Sequence, residues 1–260
     1  MRNAFLPRVA AVTSTSIAAL SLFAAFGGAA HASVNLVQNG GFELLSGAPN
    51  NPIDISQPTD WAPYTGVQAV TYAPGTADTT GATYDGGGTY YLWGPNNGSA
   101  NGLPAASPAG GNYIAFDADP SNARVFSQTI TGLVAGREYA LSFYWAAAQI
   151  ANGSGGYNGA TTDDFQVSLG GETQTTPSLS ISSHGFSGWK LETLDFTATG
   201  SSEVLSFLAQ GTAAVPPAAL LDGVSLTGVP EPDTWAMMLL GFGGIGLAAY
   251  YRQRKRPVAV

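Results

Sequence analysis

Acidic side chains with a defined place in a predicted strand are the first candidates for chemistry in this sequence. Asp222 shares one parity of a predicted strand with three apolar residues, so its carboxylate starts out directed toward the core. These neighbours are Leu220, Val224 and Leu226. An ionised carboxylate in an apolar core is costly unless it is paired or bound to a metal. Asp222 is therefore either a metal ligand or a carboxylate at the strand mouth that accepts hydrogen bonds from turn amides.

Catalytic residues are scarce. His184 is the one histidine that remains once the predicted signal peptide is removed, and no Ser lies in a Gly-x-Ser-x-Gly elbow. Asp163 and Asp164 are adjacent on a predicted strand, so their side chains point to opposite faces and are poorly placed to act as one acid/base pair. We expect His184 to be a solvated loop residue and the protein not to be an enzyme.

Aromatic and amide residues in the loops predict a different chemistry, carbohydrate binding. Aromatic rings stack on the apolar faces of pyranose rings, and Asn, Gln and Asp side chains hydrogen-bond to hydroxyls. The candidate glycan contacts are Tyr84, Tyr90, Tyr91, Trp93 and Tyr157, near the amides of Asn96, Asn97, Asn101, Asn152 and Asn158. The alternative is that these aromatic rings fill the core or cover its loops.

Strands must position these residues. Large side chains recur at every second position from Tyr139 to Trp145, which is the period of a half-buried strand. A short strand is predicted within 34–43, ending in an Asn-Gly-Gly turn, and further strands are predicted at 67–72, 89–93, 111–117, 124–130, 165–169, 189–197, 203–209 and 220–226. No helix is predicted between the two ends of the chain, and the strands are separated by Gly-rich turns. This pattern favours an antiparallel β-sandwich.

Two stretches share a pattern in which a Thr-rich strand leads through a Gly turn into an x-Leu-Ser-Phe strand. Residues 127–132 are followed by 139–143, and residues 194–200 are followed by 203–207. We interpret each stretch as a hairpin, the two lying at equivalent edges of two packed sheets.

The chain also resembles a known fold family over Asn35–Leu226. The resemblance is carried by the opening Asn-Leu-Val-x-Asn-Gly-x-Phe-Glu, the Tyr-x-Leu-Ser-Phe strand at 139–143 and the closing Ala-Leu-Leu-Asp-Gly-Val-Ser-Leu. Together they resemble the galactose-binding-like jelly roll of many carbohydrate-binding modules. The resemblance implies an all-β, antiparallel jelly-roll β-sandwich with its first strand beside its last, often with a structural calcium near the chain ends.

A calcium site follows from that placement. Glu43 comes after the first strand and Asp222 lies in the last, so two carboxylates from opposite ends of the domain, with backbone carbonyls, can bind Ca²⁺ through oxygen alone. Asp117 or Asp119 is a weaker candidate for a further ligand. No other cofactor is predicted.

The N-terminus reads as a secretory signal peptide over residues 1–32. Arg2 and Arg8 precede an Ala-rich apolar segment that ends at Ala30-His31-Ala32, with cleavage before Ser33. The alternative is an uncleaved anchor helix. A jelly-roll domain over 33–228 remains once both ends of the chain are set aside.

The C-terminal stretch 229–256 combines three features in a fixed order. Pro230, Glu231 and Pro232 come first, an apolar run over about 235–251 predicts a transmembrane helix, and a basic cluster predicted to stop transfer closes it. The cluster is Arg252, Arg254, Lys255 and Arg256. This order resembles the PEP-CTERM sorting signal of Gram-negative bacteria. The resemblance implies export, transient anchoring and recognition of the Pro-Glu-Pro by a membrane transpeptidase called exosortase.

Charge and composition narrow the partners. The chain has 17 Asp+Glu against 9 Lys+Arg, a formal net charge of −8, and six of the basic residues lie in the two termini. An acidic domain of this kind repels phosphate backbones, so nucleic-acid binding is excluded, whereas cations are attracted. Cysteine is absent, which excludes disulfides and thiolate metal sites.

The sequence therefore predicts an exported protein that passes the inner membrane, is anchored there by its tail and then reaches the cell surface or matrix. Its predicted partners are signal peptidase, an exosortase, the inner membrane and extracellular polysaccharide. The function favoured is a non-catalytic structural or adhesive part of the exopolysaccharide or biofilm matrix. The alternative is a dedicated carbohydrate-binding module with a defined glycan ligand, and a secreted hydrolase is a third reading.

Overall fold

The computed structural model describes residues 34–53, 55–62, 68–83, 89–152, 157–213, 215–230 and 232–254. Several predicted features lie outside these residues, namely the signal peptide over 1–32, Tyr84, Glu231, Lys255 and Arg256.

Strands make up almost all of the regular structure that is described before residue 230, with one 3-10 helix at Pro95–Asn97. In chain order the strands are β1 (Ala69–Tyr72), β2 (Ala82–Thr83), β3 (Thr89–Leu92), β4 (Tyr113–Asp117), β5 (Val125–Thr131), β6 (Glu138–Asn152), β7 (Thr161–Leu169), β8 (Glu172–Thr175), β9 (Leu179–Ile181), β10 (Lys190–Thr197), β11 (Ser202–Gly211) and β12 (Pro217–Gly228).

The strands form two antiparallel sheets. The seven-stranded sheet has the order β1-β4-β12-β6-β3-β2, with β10 also paired to β6, and the five-stranded sheet has the order β5-β11-β7-β8, with β9 also paired to β7. Strand β6 is long enough to hold two partners along one edge, because its residues 138–145 pair with β10 and its residues 150–152 pair with β3. The predicted all-β jelly-roll sandwich is confirmed.

The main core lies between the two sheets. Along β7, buried residues alternate with more exposed ones, as expected for a strand with one face in the core. Aromatic rings dominate this core and meet edge to face, as Phe165 does with Phe116 (5.9 Å) and Phe207 (6.0 Å). Each fully buried side chain of this size contributes roughly 1.5–3 kcal/mol relative to an exposed one.

The seven-stranded sheet also has a second, smaller core on its outer face. Strand β4 is buried at every position, which requires cover on both sides. The outer face carries small residues from the central strands, and the loops that follow β1, β3 and β9 lay larger side chains over them. The buried members of this outer core are Val70, Tyr72, Ala77, Ala82, Leu92, Leu103, Tyr113, Ala115, Ala146, Ala148, Ile150, Ala218 and Leu220.

The two predicted hairpins are wrong in their pairing. β5 pairs with β11 and β10 pairs with β6, so each Thr-rich strand and the strand that follows it belong to different sheets. The two Gly turns are crossovers that lie side by side, since the Gly136 N–H donates to the Ala198 carbonyl (2.7 Å) and the Gly132 N–H to the Ser201 carbonyl (3.1 Å). The expectation of equivalent sheet edges holds for β5 and β10.

Strand β12 changes face at a β-bulge between Asp222 and Ser225. Leu220 lies in the outer core, whereas Val224 and Leu226 lie in the main core. Gly223 makes the change with a left-handed backbone (φ +61°) that suits glycine. The sequence argument from strand parity was therefore right that Asp222 is buried, with 0% exposure, but wrong about the face.

A single helix is described after the sandwich, α1 (Pro232–Arg254). The helix forms where the apolar run predicted one, and its residues 238–252 are exposed. In the described part of the chain, however, no helix has the length and apolar content needed to cross a membrane. The predicted membrane crossing over about 235–251 stays a prediction from the sequence.

We expect Gly223→Ala to lower the free energy of unfolding by about 1–3 kcal/mol. An alanine there would adopt a positive φ, and its Cβ would lie 2.8 Å from the Ala109 Cβ. Gly110→Ala is the matched control, because Gly110 also has a positive φ (+82°) but no atom within 4 Å of the added Cβ. Urea unfolding of both variants separates the cost of placing alanine at a positive φ from the cost of the contact with Ala109. Equal losses would show that the contact with Ala109 is not the cause.

Candidate functional site

A stacked pair of rings lies where the loop after β9 meets the end of β3. Trp93 directly follows β3. Its backbone N–H donates to the Gln149 carbonyl (2.9 Å), and this hydrogen bond continues the pairing of β3 with β6. The Trp93 and His184 rings stack with centroids 3.8 Å apart and planes 21° from parallel. Both side chains are half-buried.

The backbone of His184 is fixed by three side chains from other parts of the chain. Its N–H donates to Gln149 Oε1 (2.5 Å), and its carbonyl accepts from Ser99 Oγ (2.8 Å) and Asn101 Nδ2 (2.9 Å). The residue also holds a positive φ of 61°, an uncommon conformation for a non-glycine residue. His184 is therefore a loop residue, as predicted, but it is half-buried and fixed by hydrogen bonds rather than fully solvated.

The imidazole of His184 links this pair to the segment after β6. Its Nε2 lies 2.9 Å from Asn158 Oδ1 and 3.2 Å from the Tyr157 carbonyl. Both partners are acceptors, so Nε2 carries the hydrogen in this arrangement. The result is a half-buried aromatic pair with a polar rim of amide and hydroxyl groups.

Tyr90 stands beside this cluster over the outer face of the sheet. Its hydroxyl donates to Gln68 Oε1 (2.9 Å). Burial raises the pKa of Tyr90, and the nearby charges of Asp117 and Tyr157 raise it further. Below the ring is a small pocket of about 10 Å³, room for about one water molecule. The pocket is lined by Gln68, Val70, Tyr72, Tyr90, Leu92, Ala115, Asp117 and Ile150.

The structure gathers part of the predicted glycan set. Trp93 stacks on His184, whose imidazole contacts the Tyr157 carbonyl, so Trp93 and Tyr157 are brought together. Strand alternation puts Tyr90 on the outer-core face of β3 and Tyr91, over Gly81, on the other face, whose parity Trp93 shares. Tyr84 lies outside the described residues. His184, which sequence reasoning set aside, belongs to the same cluster because a loop far along the chain returns to β6. No periodic pattern in the sequence marks that return.

The two predicted calcium ligands lie at the same corner of the sandwich. Asp222 accepts hydrogen bonds from the Ser107 hydroxyl and from the Gly223 N–H (2.6 Å), and Glu43 Oε1 accepts from the Asn112 N–H (2.9 Å). Burial raises the pKa of Asp222 to about 7, and the charge of Glu43 adds to the increase, while the two hydrogen bonds oppose it.

This corner is closely packed around the backbone. A Cβ on Gly111 would lie 1.6 Å from Glu43 Oε1, and a Cβ on Gly40 would lie 2.0 Å from the Val224 carbonyl oxygen. Two carboxylates of like charge are thus held near each other, with loop backbone between them. Of the weaker candidates, Asp117 instead accepts from the Asp119 N–H (2.9 Å) and from Asn122 Nδ2 (2.9 Å) at the end of β4.

A second group of acids lies where β7 begins. Asp163 is completely buried, and neither of its carboxylate oxygens has a hydrogen-bond partner among the described residues. Burial raises the pKa of Asp163 well above its usual range, and the charges of Asp164 and Asp117 raise it further. Across the described residues, no three His, Asp or Glu side chains converge closely enough to hold a metal by themselves.

Comparison with known proteins identifies the C-terminal tail. Residues 228–255 match the family model of the PEP-CTERM protein-sorting motif. The tail is a PEP-CTERM motif. The match includes Pro230 and Pro232, which flank Glu231, as well as Arg252, Arg254 and Lys255 of the basic cluster. This motif implies an exported, surface-sorted protein that is processed by an exosortase.

One curated relative matches most of the chain. Halomucin from Haloquadratum walsbyi is 26% identical over 232 residues, which is 87% of this chain. The chain spans only 2% of the length of halomucin.

Solved carbohydrate-binding modules resemble the domain that bears the PEP-CTERM motif. TmCBM61, in complex with β-1,4-galactotriose, has a TM-score of 0.39 and 16% identity over 76% of this chain and 100% of its own. The CBM22-1 xylan-binding domain of Paenibacillus barcinonensis Xyn10C has a TM-score of 0.31 and 16% identity over 62% and 94% of the two chains. The arabinose-bound α-L-arabinofuranosidase MgGH51 has a TM-score of 0.39 and 17% identity over 75% and 26%. These similarities are loose, and the sheet order itself defines the fold.

Proposed function

We propose that this exported, surface-sorted protein binds carbohydrate through the region around Trp93, His184, Tyr157 and Tyr90, and that it acts as a non-catalytic adhesive part of an extracellular polysaccharide matrix. The stacked Trp93–His184 pair is the observation that carries the proposal. A flat, half-buried aromatic surface with amide and hydroxyl groups around it offers both interactions that a sugar ring needs.

The backbone that carries this surface is already held in place before a ligand binds. Gln149, Ser99 and Asn101 fix the backbone of His184, so the ring does not have to be ordered when a ligand binds. The indole N–H of Trp93 has no hydrogen-bond partner among the described residues. A ligand hydroxyl that reached it would satisfy a buried donor, which favours binding.

Charge narrows the class of glycan. The chain has a formal net charge of −8, and Asp117 lies beside the Tyr90 end of the surface. An acidic surface disfavours uronic or sulfated polysaccharides because like charges repel. A neutral glycan is therefore the proposed ligand class. The alternative, a dedicated module for one defined glycan, uses the same surface and differs in selectivity.

We expect Trp93→Ala to weaken binding to a neutral glycan at least tenfold, about 1.4 kcal/mol, because the stacking surface is lost. Trp93→Phe should retain much of the affinity. Tyr144→Ala is the control, since its ring lies beside Gly223, away from Trp93, and should leave binding unchanged. A glycan array on the full-length protein, followed by titration calorimetry, makes the measurement.

Array binding to one neutral glycan would favour the dedicated module, and weak binding to many would favour the adhesive role. A protein that binds no glycan, or a Trp93→Ala variant that binds as tightly as the parent, would contradict the proposed surface. Consumption of one glycan would instead indicate a hydrolase.

We also propose a structural calcium ion between Glu43 and Asp222. The residues fit an oxygen-only site, because two carboxylates are held near each other by the tightly packed loops at 40–43 and 107–112. Calcium there would neutralise the repulsion that these carboxylates exert on each other and would tie the first segment of the domain to its last strand.

The pH dependence of stability tests the calcium site. Without metal, the folded state holds the Asp222 proton with a pKa of about 7, above the unfolded value, so this contribution to stability is complete at low pH and is lost as pH rises through 7. We expect EDTA-treated protein to melt lower at pH 8 than at pH 5, and calcium to raise Tm mainly at pH 8.

Asp222→Asn should weaken both the pH effect and the calcium effect, whereas the exposed control Asp195→Asn should behave as the parent. If calcium raises the Tm of Asp222→Asn as much as that of the parent at pH 8, the ion does not bind at this corner.

Processing at the PEP-CTERM motif is the third part of the proposal. Pro230 is exposed, and it follows the last residue of β12 by two positions, so the motif lies next to the folded domain. We propose that an exosortase recognises Pro230, Glu231 and Pro232 there. A signal peptidase that removes residues 1–32 remains a prediction from the sequence.

We expect the triple substitution P230A/E231A/P232A to abolish the shortening of the protein in a host that contains an exosortase, because the recognised residues are absent. Asp233→Ala is the control, as it removes a neighbouring charge outside the motif. Immunoblots of the host with its exosortase gene intact or deleted give the sizes. Normal processing and surface display of the triple variant would contradict this assignment.

A further inference from the structure

The end of the sandwich at which β7 begins contains a buried carboxylate that none of the functions above uses. Asp163 is 0% exposed, and on β7 it shares a parity with Phe165, Val167 and Leu169, which lie in the main core. Its side chain therefore points between the two sheets. Both of its oxygens lack a hydrogen-bond partner among the described residues.

Other polar groups around Asp163 are also unsatisfied. The hydroxyl of Thr161, two positions earlier on the same face of β7, is buried and has no partner among the described residues. The charges of Asp164 and Asp117 both act on Asp163. On one face of β7 the Asp163 carboxylate and the Thr161 hydroxyl thus offer three buried oxygen atoms to a cation. Asp164, on the other face of the strand, and Asp117, on the outer face of the seven-stranded sheet, contribute only negative charge.

Such an arrangement is unstable without a ligand. A buried polar group with no partner costs roughly 2–7 kcal/mol, and an isolated buried charge costs more. Protonation of Asp163 removes the charge but leaves its O–H and its second oxygen without partners. A cation that binds oxygen compensates the negative charge of the ionised carboxylate and at the same time gives both of its oxygen atoms a partner.

We propose that Asp163 binds a calcium ion at this end of the sandwich, with the Thr161 hydroxyl as a second oxygen ligand and with Asp117 and Asp164 supplying negative charge nearby. Calcium accepts six to eight oxygen ligands in flexible geometry, so backbone carbonyls and water complete the shell around few carboxylates. An acidic exported domain attracts such ions.

This site is distinct from the one proposed at Glu43 and Asp222. Gly211 pairs with Asp163 in the sheet, and a Cβ on Gly211 would lie 2.7 Å from the Pro217 ring, so Asp163 lies near the start of β12. Asp222 is five residues further along β12, which is about 17 Å at 3.3–3.4 Å per residue. The two sites therefore bind calcium independently.

Calcium titration of EDTA-treated full-length protein tests the proposal. We expect Asp163→Asn to bind one calcium ion fewer than the parent, in an otherwise unchanged background and also in an Asp222→Asn background. Asp195→Asn makes the same chemical change at an exposed strand position and should bind as the parent does. Equal calcium stoichiometry in Asp163→Asn and the parent would overturn the proposal.

Thermal unfolding gives a second, independent readout. In EDTA we expect Asp163→Asn to melt close to the parent, because burial keeps the metal-free carboxyl group protonated and the substitution exchanges one neutral polar group for another. In calcium the parent should gain more than the variant. An equal calcium-dependent gain in both proteins would mean that a proton or a water molecule satisfies Asp163, and the proposal would be wrong.

Two further variants keep the test decisive if Asp163→Asn does not fold. Thr161→Val removes one oxygen ligand at nearly constant volume, and Asp117→Asn removes a nearby charge. Each should weaken calcium binding roughly tenfold, the loss typical of changes around a metal ligand. Unchanged affinity in both variants would overturn the proposal.

Discussion

The seven-stranded sheet carries apolar side chains on both faces, and both have to be kept from water. One face packs against the five-stranded sheet. Among the described residues no second sheet lies over the other face, and the long loops after β1, β3 and β9 cover it. The side chains available beneath these loops are mostly small, with Ala115, Ala146, Ala148 and Ala218 on the central strands. Small residues leave room for large ones from the loops, and this explains why the irregular parts of the sequence are rich in aromatic residues.

The proposed carbohydrate surface results from the way the loops cover the outer face of the seven-stranded sheet. A loop that has to pack onto the outer face also brings His184 against Trp93, and the polar groups that fix the loop form the rim of the pair. Both buried carboxylates have a related origin. Asp222 lies where β12 leaves the outer core for the main core, and Asp163 lies where the main core ends. Each occurs where apolar packing gives way to loop backbone, and such places allow a charge to be buried if an ion accompanies it.

Much of the fold could be predicted from sequence because strand periodicity is a local property. The strands around Tyr139 and Phe165 follow from alternation, and the tail follows from the order of its parts. Pairing is not local, which is why the crossovers at Gly132 and Gly200 were mistaken for hairpins. The reversal of face at Gly223 was missed for a similar reason, since a bulge adds a residue without a mark in the pattern. For the candidate site, the sequence could predict individual aromatic residues. It could not predict His184, which reaches them only through contacts between distant segments.

The position of β12 has a consequence for how the chain matures. This last strand lies in the middle of its sheet, between β4 and β6, so neither neighbour has its full set of backbone partners until synthesis has passed Gly228. Pro230 follows almost immediately. A chain terminated early in β12 would therefore lack both a closed sheet and the residues that direct its sorting. The last strand and the sorting motif are adjacent in the sequence. A chain that ends too early to complete the sheet therefore also lacks the signal that would send it to the surface.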